Sequence, residues 1–397
     1  MRGKYCATSA FVVFVFAAVM LGCDSSSESS LGNLSGVVRD STSNDPVPGA
    51  SVRVPGKQQT TAADGRFEFV GVATGTVDLE VGASGFSFFS QPITLNEGEN
   101  THDVRLTRAL YYDAESGGFD FTLRVPPSMA SVRGVLLVLA GAGEESRTFV
   151  RGGILHTTDL ADFRPRLLEL ADQFDLALMG SEFDGNSGFP TIMDEAFGVL
   201  DEYAVSANHP ELTGAPILVE GYSLGGCAAY AVPLARVDRM IGFIRQKASC
   251  LGADGDRGDR KLVPGYHVIG DLDTEERRVN ITAEFETNRQ AGALWALITE
   301  PNAAHTEIER TAAGRDLTIN WMEIVLERRL PPAGGPLVPL LTIDEASGWL
   351  GNRETFEIGS YACYAADKLQ ASWFPSMETA VQWQALSSSG SVTTACI

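Results

Sequence analysis

A chain of 397 residues with 44% hydrophobic side chains is long enough for two or three domains and a sizeable buried core. Its 51 acidic residues outnumber 30 basic ones, a formal charge of −21, which argues against a nucleic-acid partner because a phosphate backbone would be repelled. No His/Cys cluster has the spacing of a zinc site, and neither a metal nor an organic cofactor is implied.

The first residues read as an export signal. Arg2 and Lys4 supply positive charge, and Ala10 to Leu21 form an apolar run of twelve residues, short for a membrane-spanning helix. The run ends in Met20-Leu21-Gly22-Cys23. This resembles a lipoprotein lipobox, which implies removal of residues 1–22, acylation of Cys23 and anchoring to a membrane of the cell envelope; an ordinary signal peptide cut nearby is the alternative. Residues 23–33, with the Ser-rich run Asp24 to Ser30, read as a tether that buries nothing. Four further cysteines remain: Cys227, Cys250, Cys363 and Cys396. An even number in an exported chain suggests disulfides, and of the three pairings the local ones, Cys227–Cys250 and Cys363–Cys396, are preferred over free buried thiols.

Residues 34–107 carry short runs with period-two alternation, separated by Asp-Gly and Pro-Gly turns, as in a small all-β sandwich. The runs include Ser35-Gly36-Val37-Val38-Arg39-Asp40, Pro46-Val47-Pro48-Gly49-Ala50-Ser51-Val52 and Thr61-Ala62-Ala63-Asp64-Gly65-Arg66-Phe67-Glu68-Phe69. The segment resembles the carboxypeptidase regulatory-like domain, a transthyretin-like sandwich. That resemblance implies a spacer or adhesion module without catalytic residues. His102 is expected on its last strand, as a surface residue.

Residues 108–333 alternate strand and helix, which argues for a mainly parallel sheet flanked by helices. Val135 to Leu139 is an unbroken apolar strand ending in Ala140-Gly141-Ala142-Gly143. Pro165 to Phe174 reads as a helix, Leu176 to Met179 as a strand, Met193 to Ala204 as a helix, Pro216 to Glu220 as a strand and Tyr266 to Gly270 as another.

The strand at 216–220 runs into Gly221-Tyr222-Ser223-Leu224-Gly225, a G-x-S-x-G motif followed by the helix-like Gly226 to Ala231. The motif alone is weak; strand, sharp turn and helix around it are what a nucleophile elbow needs. Ser223 would sit at a strained backbone position, and Gly221 and Gly225 would remove the collisions that side chains there would cause. Pro233 should kink or end the helix early. A serine hydroxyl needs a base, and two histidines follow it. His267 lies inside an apolar strand and reads as a core residue. His305 lies in the loop-like Pro301 to Thr306 and is the better base. The acid is expected just past Tyr266 to Gly270, at Asp271 or Asp273; Gly270-Asp271-Leu272-Asp273 resembles the G-x-x-D that follows the penultimate core strand of α/β-hydrolases, which implies Asp273, with Asp271 as the alternative. Backbone N–H groups of Leu224 and Ala142, or of Gly141 or Gly143 in place of Ala142, are expected to form an oxyanion hole.

These features resemble the α/β-hydrolase superfamily, and within it polyhydroxybutyrate depolymerase and feruloyl esterase-like members. The resemblance rests on the Ala140-Gly141-Ala142-Gly143 loop, the Glu220-Gly221-Tyr222-Ser223-Leu224-Gly225-Gly226 elbow and export. Ala140 stands where many members have histidine. The resemblance implies an α/β-hydrolase fold and an ester substrate, polymers included. Segments Leu155 to Phe163 and Asp184 to Thr191 are candidates for lining the substrate pocket.

Residues 334–397 form an aromatic-rich extension with Trp349, Phe356, Tyr361, Tyr364, Trp373, Phe374 and Trp383. It reads as a hydrophobic cap, or else as the wall of a binding cleft. Two other functions stay open from the sequence. One is a non-catalytic surface lipoprotein that binds glycan or polymer on a hydrolase scaffold; the other is a serine peptidase.

Overall fold

The computed structural model describes residues 30–388, apart from 84–85, 109, 143, 153–157, 184–190, 208, 233, 251–257 and 308–310, together with 394–396. The export segment, Cys23 and most of the tether lie outside the described residues, as do Gly143 and Pro233.

The N-terminal unit is two four-stranded sheets face to face. Leu31–Asp40 pairs with Arg66–Ala73 and with two later strands, Gly98–Thr101 and Val104–Leu106. Ser51–Val54, Lys57–Thr60, Gly75–Gly82 and Phe89–Leu95 make the second sheet. Period-two sequences give period-two burial: Leu34, Val38, Val52, Phe67, Phe69, Leu79 and Val81 meet in one core. His102 departs from expectation. It occupies the short link between the last two strands and is half-buried.

The central sheet has eight strands along its path: β1 (Leu110–Ser116), β2 (Phe119–Val125), β3 (Gly134–Leu139), β4 (Leu176–Phe183), β5 (Ile217–Tyr222), β6 (Met240–Gln246), β7 (Gly265–Gly270) and β8 (Trp295–Glu300). They lie in the order β1-β2-β4-β3-β5-β6-β7-β8. Strand β2 is antiparallel to both neighbours and the others are parallel. This is the α/β-hydrolase arrangement. The chain leaves β3 to one side as β4 and returns on its other side as β5. The carboxyl ends of β3 and β5 therefore form a switch point, where an open α/β sheet leaves a crevice.

Helices α1 (Thr158–Gln173), α2 (Ile192–Ser206), α3 (Leu224–Tyr230), α4 (Glu275–Gln290) and α5 (Ala312–Arg329) cover the sheet. One core joins α2, α3 and α4 to one face, through Phe197, Leu200, Ala228, Ile281 and Phe285. The other joins α1 and α5 to the opposite face, through Leu167, Leu170, Trp321 and Val325. Helix α1 starts well before Pro165, which sits inside it, so proline does not mark the helix start here. Helix α3 ends at Tyr230. The disulfide Cys227–Cys250 joins α3 to the segment after β6, and Cys363 is also disulfide-bonded.

The C-terminal segment adds a small sheet from Trp349–Gly351, Ile358–Ser360, Ser372–Phe374 and Thr394–Cys396, with helix α6 (Met377–Ser387). It covers the β8 edge of the central sheet. Ser372 Oγ accepts from Leu297 N at 3.0 Å, and Trp383 Nε1 donates to Leu297 O at 3.2 Å. Backbone groups of an edge strand are thereby hidden from other chains. Trp373, Phe374 and Trp383 are buried, whereas Trp349, Phe356 and Tyr361 are partly exposed and Tyr364 borders a small surface cavity with Arg353 and Gln370.

Glu220, on β5, is buried, and its Oε1 accepts from Gln246 Nε2 at 3.0 Å. Burial pushes its carboxyl up to about 8, from an ordinary 4.5. Between those values the folded chain holds a proton that the unfolded chain releases, so stability falls as pH rises through the window and is full below it. Glu220→Gln should therefore raise the melting temperature at pH 8 by several degrees and change it little at pH 5. An equal difference at both pH values would refute the buried neutral carboxyl.

Candidate active site

The turn from β5 into α3 places Ser223 at φ 53° and ψ −118°, a conformation that L-residues rarely adopt. Its amide donates to Gln246 O at 2.9 Å, and its carbonyl accepts from Cys227 N at 3.1 Å. Three glycines make the turn possible. A Cβ on Gly221 would lie 2.2 Å from Gly225 O, and one on Gly225 would lie 2.2 Å from Leu139 O and 2.4 Å from Ala140 O. One on Gly226 would lie 2.7 Å from the Ala248 Cβ. The elbow is thus pressed against the end of β3 and the start of the Ala140-Gly141-Ala142 loop. Leu224 is the first residue of α3, and Ala142 lies exposed in a turn just past β3.

The candidate base and acid sit on two neighbouring turns. Asp273 follows β7, and its amide donates to Gly270 O at 3.1 Å, closing a tight turn. His305 follows β8. Ser223 Oγ lies 3.0 Å from His305 Nε2, and His305 Nδ1 lies 3.2 Å from Asp273 Oδ2. Asp271, the other candidate acid, accepts from Ala303 N at 3.1 Å and so holds the histidine's turn. His267 is fully buried among Tyr230, Phe243, Phe285 and Trp295.

Several contacts of the site were not foreseen. Tyr222 OH donates to His305 O at 2.9 Å, and its ring lies 5.3 Å from the imidazole. Asp273 Oδ1 accepts from Thr274 N at 2.7 Å and pairs with Arg277 Nη1. The i,i+4 spacing of Asp273 and Arg277 was legible once a helix start at Thr274 was recognised. Burial pulls the His305 imidazole below its usual range; Arg277 and Lys247 pull the same way, against the opposing pull of Asp273. Of the two segments expected to line a pocket, 155–157 and 184–190 lie outside the described residues, and Thr158 to Phe163 is the first part of α1 rather than a loop. No cluster that could hold a metal ion occurs among the described residues.

A model of the carboxypeptidase regulatory-like domain matches residues 33–107. No curated protein matches the chain. Among solved structures the chain is similar to a feruloyl esterase module from Clostridium thermocellum, at 11% identity and TM-score 0.38, covering 50% of this chain and 82% of that one. It is similar to an esterase from Rhizomucor miehei, at 16% identity and TM-score 0.37, covering 55% and 82%. It is also similar to a thermostable esterase, at 11% identity and TM-score 0.37, covering 69% and 91%. The fold assignment rests on strand order and not on these scores.

The elbow geometry makes a sharp prediction. Gly225→Ala must displace backbone carbonyls and should cost about 2 kcal/mol or more of stability. Gly214→Ala, where an added Cβ meets nothing within 4 Å, is the control and should melt close to wild type. Thermal melts of the two variants side by side check this.

Proposed function

We propose that the chain is an exported, lipid-anchored serine hydrolase that cleaves carboxylic esters through an acyl-enzyme. The observation that carries this reading is the unbroken chain of contacts from Ser223 Oγ through His305 to Asp273 on a strained elbow at the sheet's switch point. In this reading His305 Nε2 takes the serine proton as Oγ attacks the ester carbonyl, and Asp273 orients the ring and stabilises the imidazolium. The amides of Leu224 and Ala142 hold the developing oxyanion. Collapse expels the alcohol, which receives the proton from His305. A water deprotonated by the same histidine then attacks the acyl carbon, releases the acid and returns the proton to Ser223. No step calls for a metal or an organic cofactor.

Activity, labelling, pH dependence and cell fractionation test the proposal. The purified protein should hydrolyse 4-nitrophenyl acetate and take a fluorophosphonate label on the Ser223 peptide. Ser223→Ala should lower kcat about 10⁴-fold with the melting temperature kept. An equal rate in the variant would end the reading, and turnover of peptide anilides alone would mark a peptidase. Because His305 is held below the ordinary histidine range, its base form persists into mildly acidic solution. The acid limb of kcat/KM should therefore fall below the ordinary value of about 6.5. Cys23→Ala should move the expressed protein from the membrane fraction to the soluble fraction.

A further inference from the structure

Arg277 touches the triad carboxylate directly, although the reaction sketched above gives it no part. It is the third residue of α4, whose cap Thr274 accepts from Arg277 N at 3.4 Å. Its guanidinium pairs with Asp273 Oδ1, and the backbone amide of Thr274 occupies the same oxygen at 2.7 Å. The other oxygen, Oδ2, is left to His305 Nδ1. Asp273 is almost fully buried, whereas the Arg277 side chain is 27% exposed, so the arginine spans the boundary between the triad and solvent.

We propose that Arg277 is a positioning residue of the triad: it locks the Asp273 carboxylate with one oxygen toward His305, and its charge offsets part of the attraction between that carboxylate and a protonated His305. This rests on the serine-hydrolase reading above. Two donors on Oδ1 leave the carboxylate one rotamer in which Oδ2 faces the ring. The charge acts through the same contact. A cation beside Asp273 opposes formation of a second cation on His305, and the imidazole is indeed held low.

Other charged groups around His305 do not do the same. Lys247, after β6, also pulls the imidazole down, but it is buried against Glu300 at 2.7 Å. Glu307, on the histidine's own turn, accepts from Ala304 N at 2.8 Å. Arg278, on α4, donates to the Asp273 backbone carbonyl at 3.2 Å. Tyr222, from β5, holds the His305 carbonyl. Arg277 alone among these holds the acid's carboxylate.

The test uses the whole folded chain with labelled histidine and reads the His305 ring titration by NMR, assigned with His305→Gln. Arg277→Met removes charge and donors; Arg277→Lys keeps the charge. The inference expects His305 to titrate at higher pH in Arg277→Met and close to wild type in Arg277→Lys. It expects kcat/KM on 4-nitrophenyl acetate to fall about tenfold in Arg277→Met, with partial recovery in Arg277→Lys. An unchanged or lowered titration in Arg277→Met overturns it, as does an equal upward shift in both variants. The titration needs no turnover. A wild-type chain that takes no fluorophosphonate label sinks the hydrolase reading by a separate measurement.

Discussion

The whole site depends on how closely the backbone of the elbow can approach the end of β3. Ser223 at φ 53° is a strained residue, at a cost of about 1–3 kcal/mol, and it persists only where its surroundings leave no alternative. Those surroundings are backbone atoms. The carbonyls of Leu139, Ala140 and Gly225 stand where side chains at 221 and 225 would have to go, and the Ser223 amide is taken by Gln246 O. The Cys227–Cys250 disulfide closes the same knot from the far side by joining α3 to the segment after β6. Strands β3, β5 and β6 thus meet through contacts that admit no slack. That is the rigidity the proposed oxyanion hole would need, since its donors must be in place before charge develops.

A second lock sets the distance between Asp273 and His305. The turns after β7 and β8 are stitched together: Asp271 N donates to Glu300 O, Leu272 N to Ala303 O, and Ala303 N to Asp271 Oδ1. Gly270 belongs to the same seam, because a Cβ there would lie 2.2 Å from Ala303 O. Asp271 and Asp273 therefore have different tasks two residues apart. The first ties the two turns into one body, and the second, folded back by its bond to Gly270 O, presents its carboxylate to the ring. The G-x-x-D resemblance had favoured Asp273, and the backbone bond to Gly270 O gives that spacing a physical reason.

The legible parts of the fold were those that rest on local pattern. Unbroken apolar runs gave β3 and β5, alternation gave the sandwich, and the glycines of the elbow follow from steric demand at one serine. The hidden parts were those whose partners lie far along the chain. Strand β6 reads Met240-Ile241-Gly242-Phe243-Ile244-Arg245-Gln246, and its polar end followed by Lys247 looks like a solvated turn. In the fold Arg245, Gln246 and Lys247 are all buried, against Glu284, Glu220 and Glu300. The aromatics of the C-terminal segment were legible as a hydrophobic cap, but not which edge they cap: Trp383, with Ser372 beside it, bonds one residue of β8 that lies far back along the chain.

The buried charges bear on why the site stands where it does. Taking an ion pair out of water costs more than its Coulomb energy returns unless the geometry is good, so such pairs are poor sources of stability. Here they gather at the carboxyl ends of β6 and β8, next to the turns that hold Ser223 and His305. Lys247 adopts a left-handed backbone, φ 50°, and its amide donates to Val268 O at 2.8 Å while its ammonium reaches Glu300. Each strand end is thereby pinned by backbone and side chain together. The two apolar cores on the sheet's faces supply the stability that these pairs do not. The polar groups fix direction, which a hydrophobic contact cannot do, and the contacts between Ser223, His305 and Asp273 need direction to within a few tenths of an ångström.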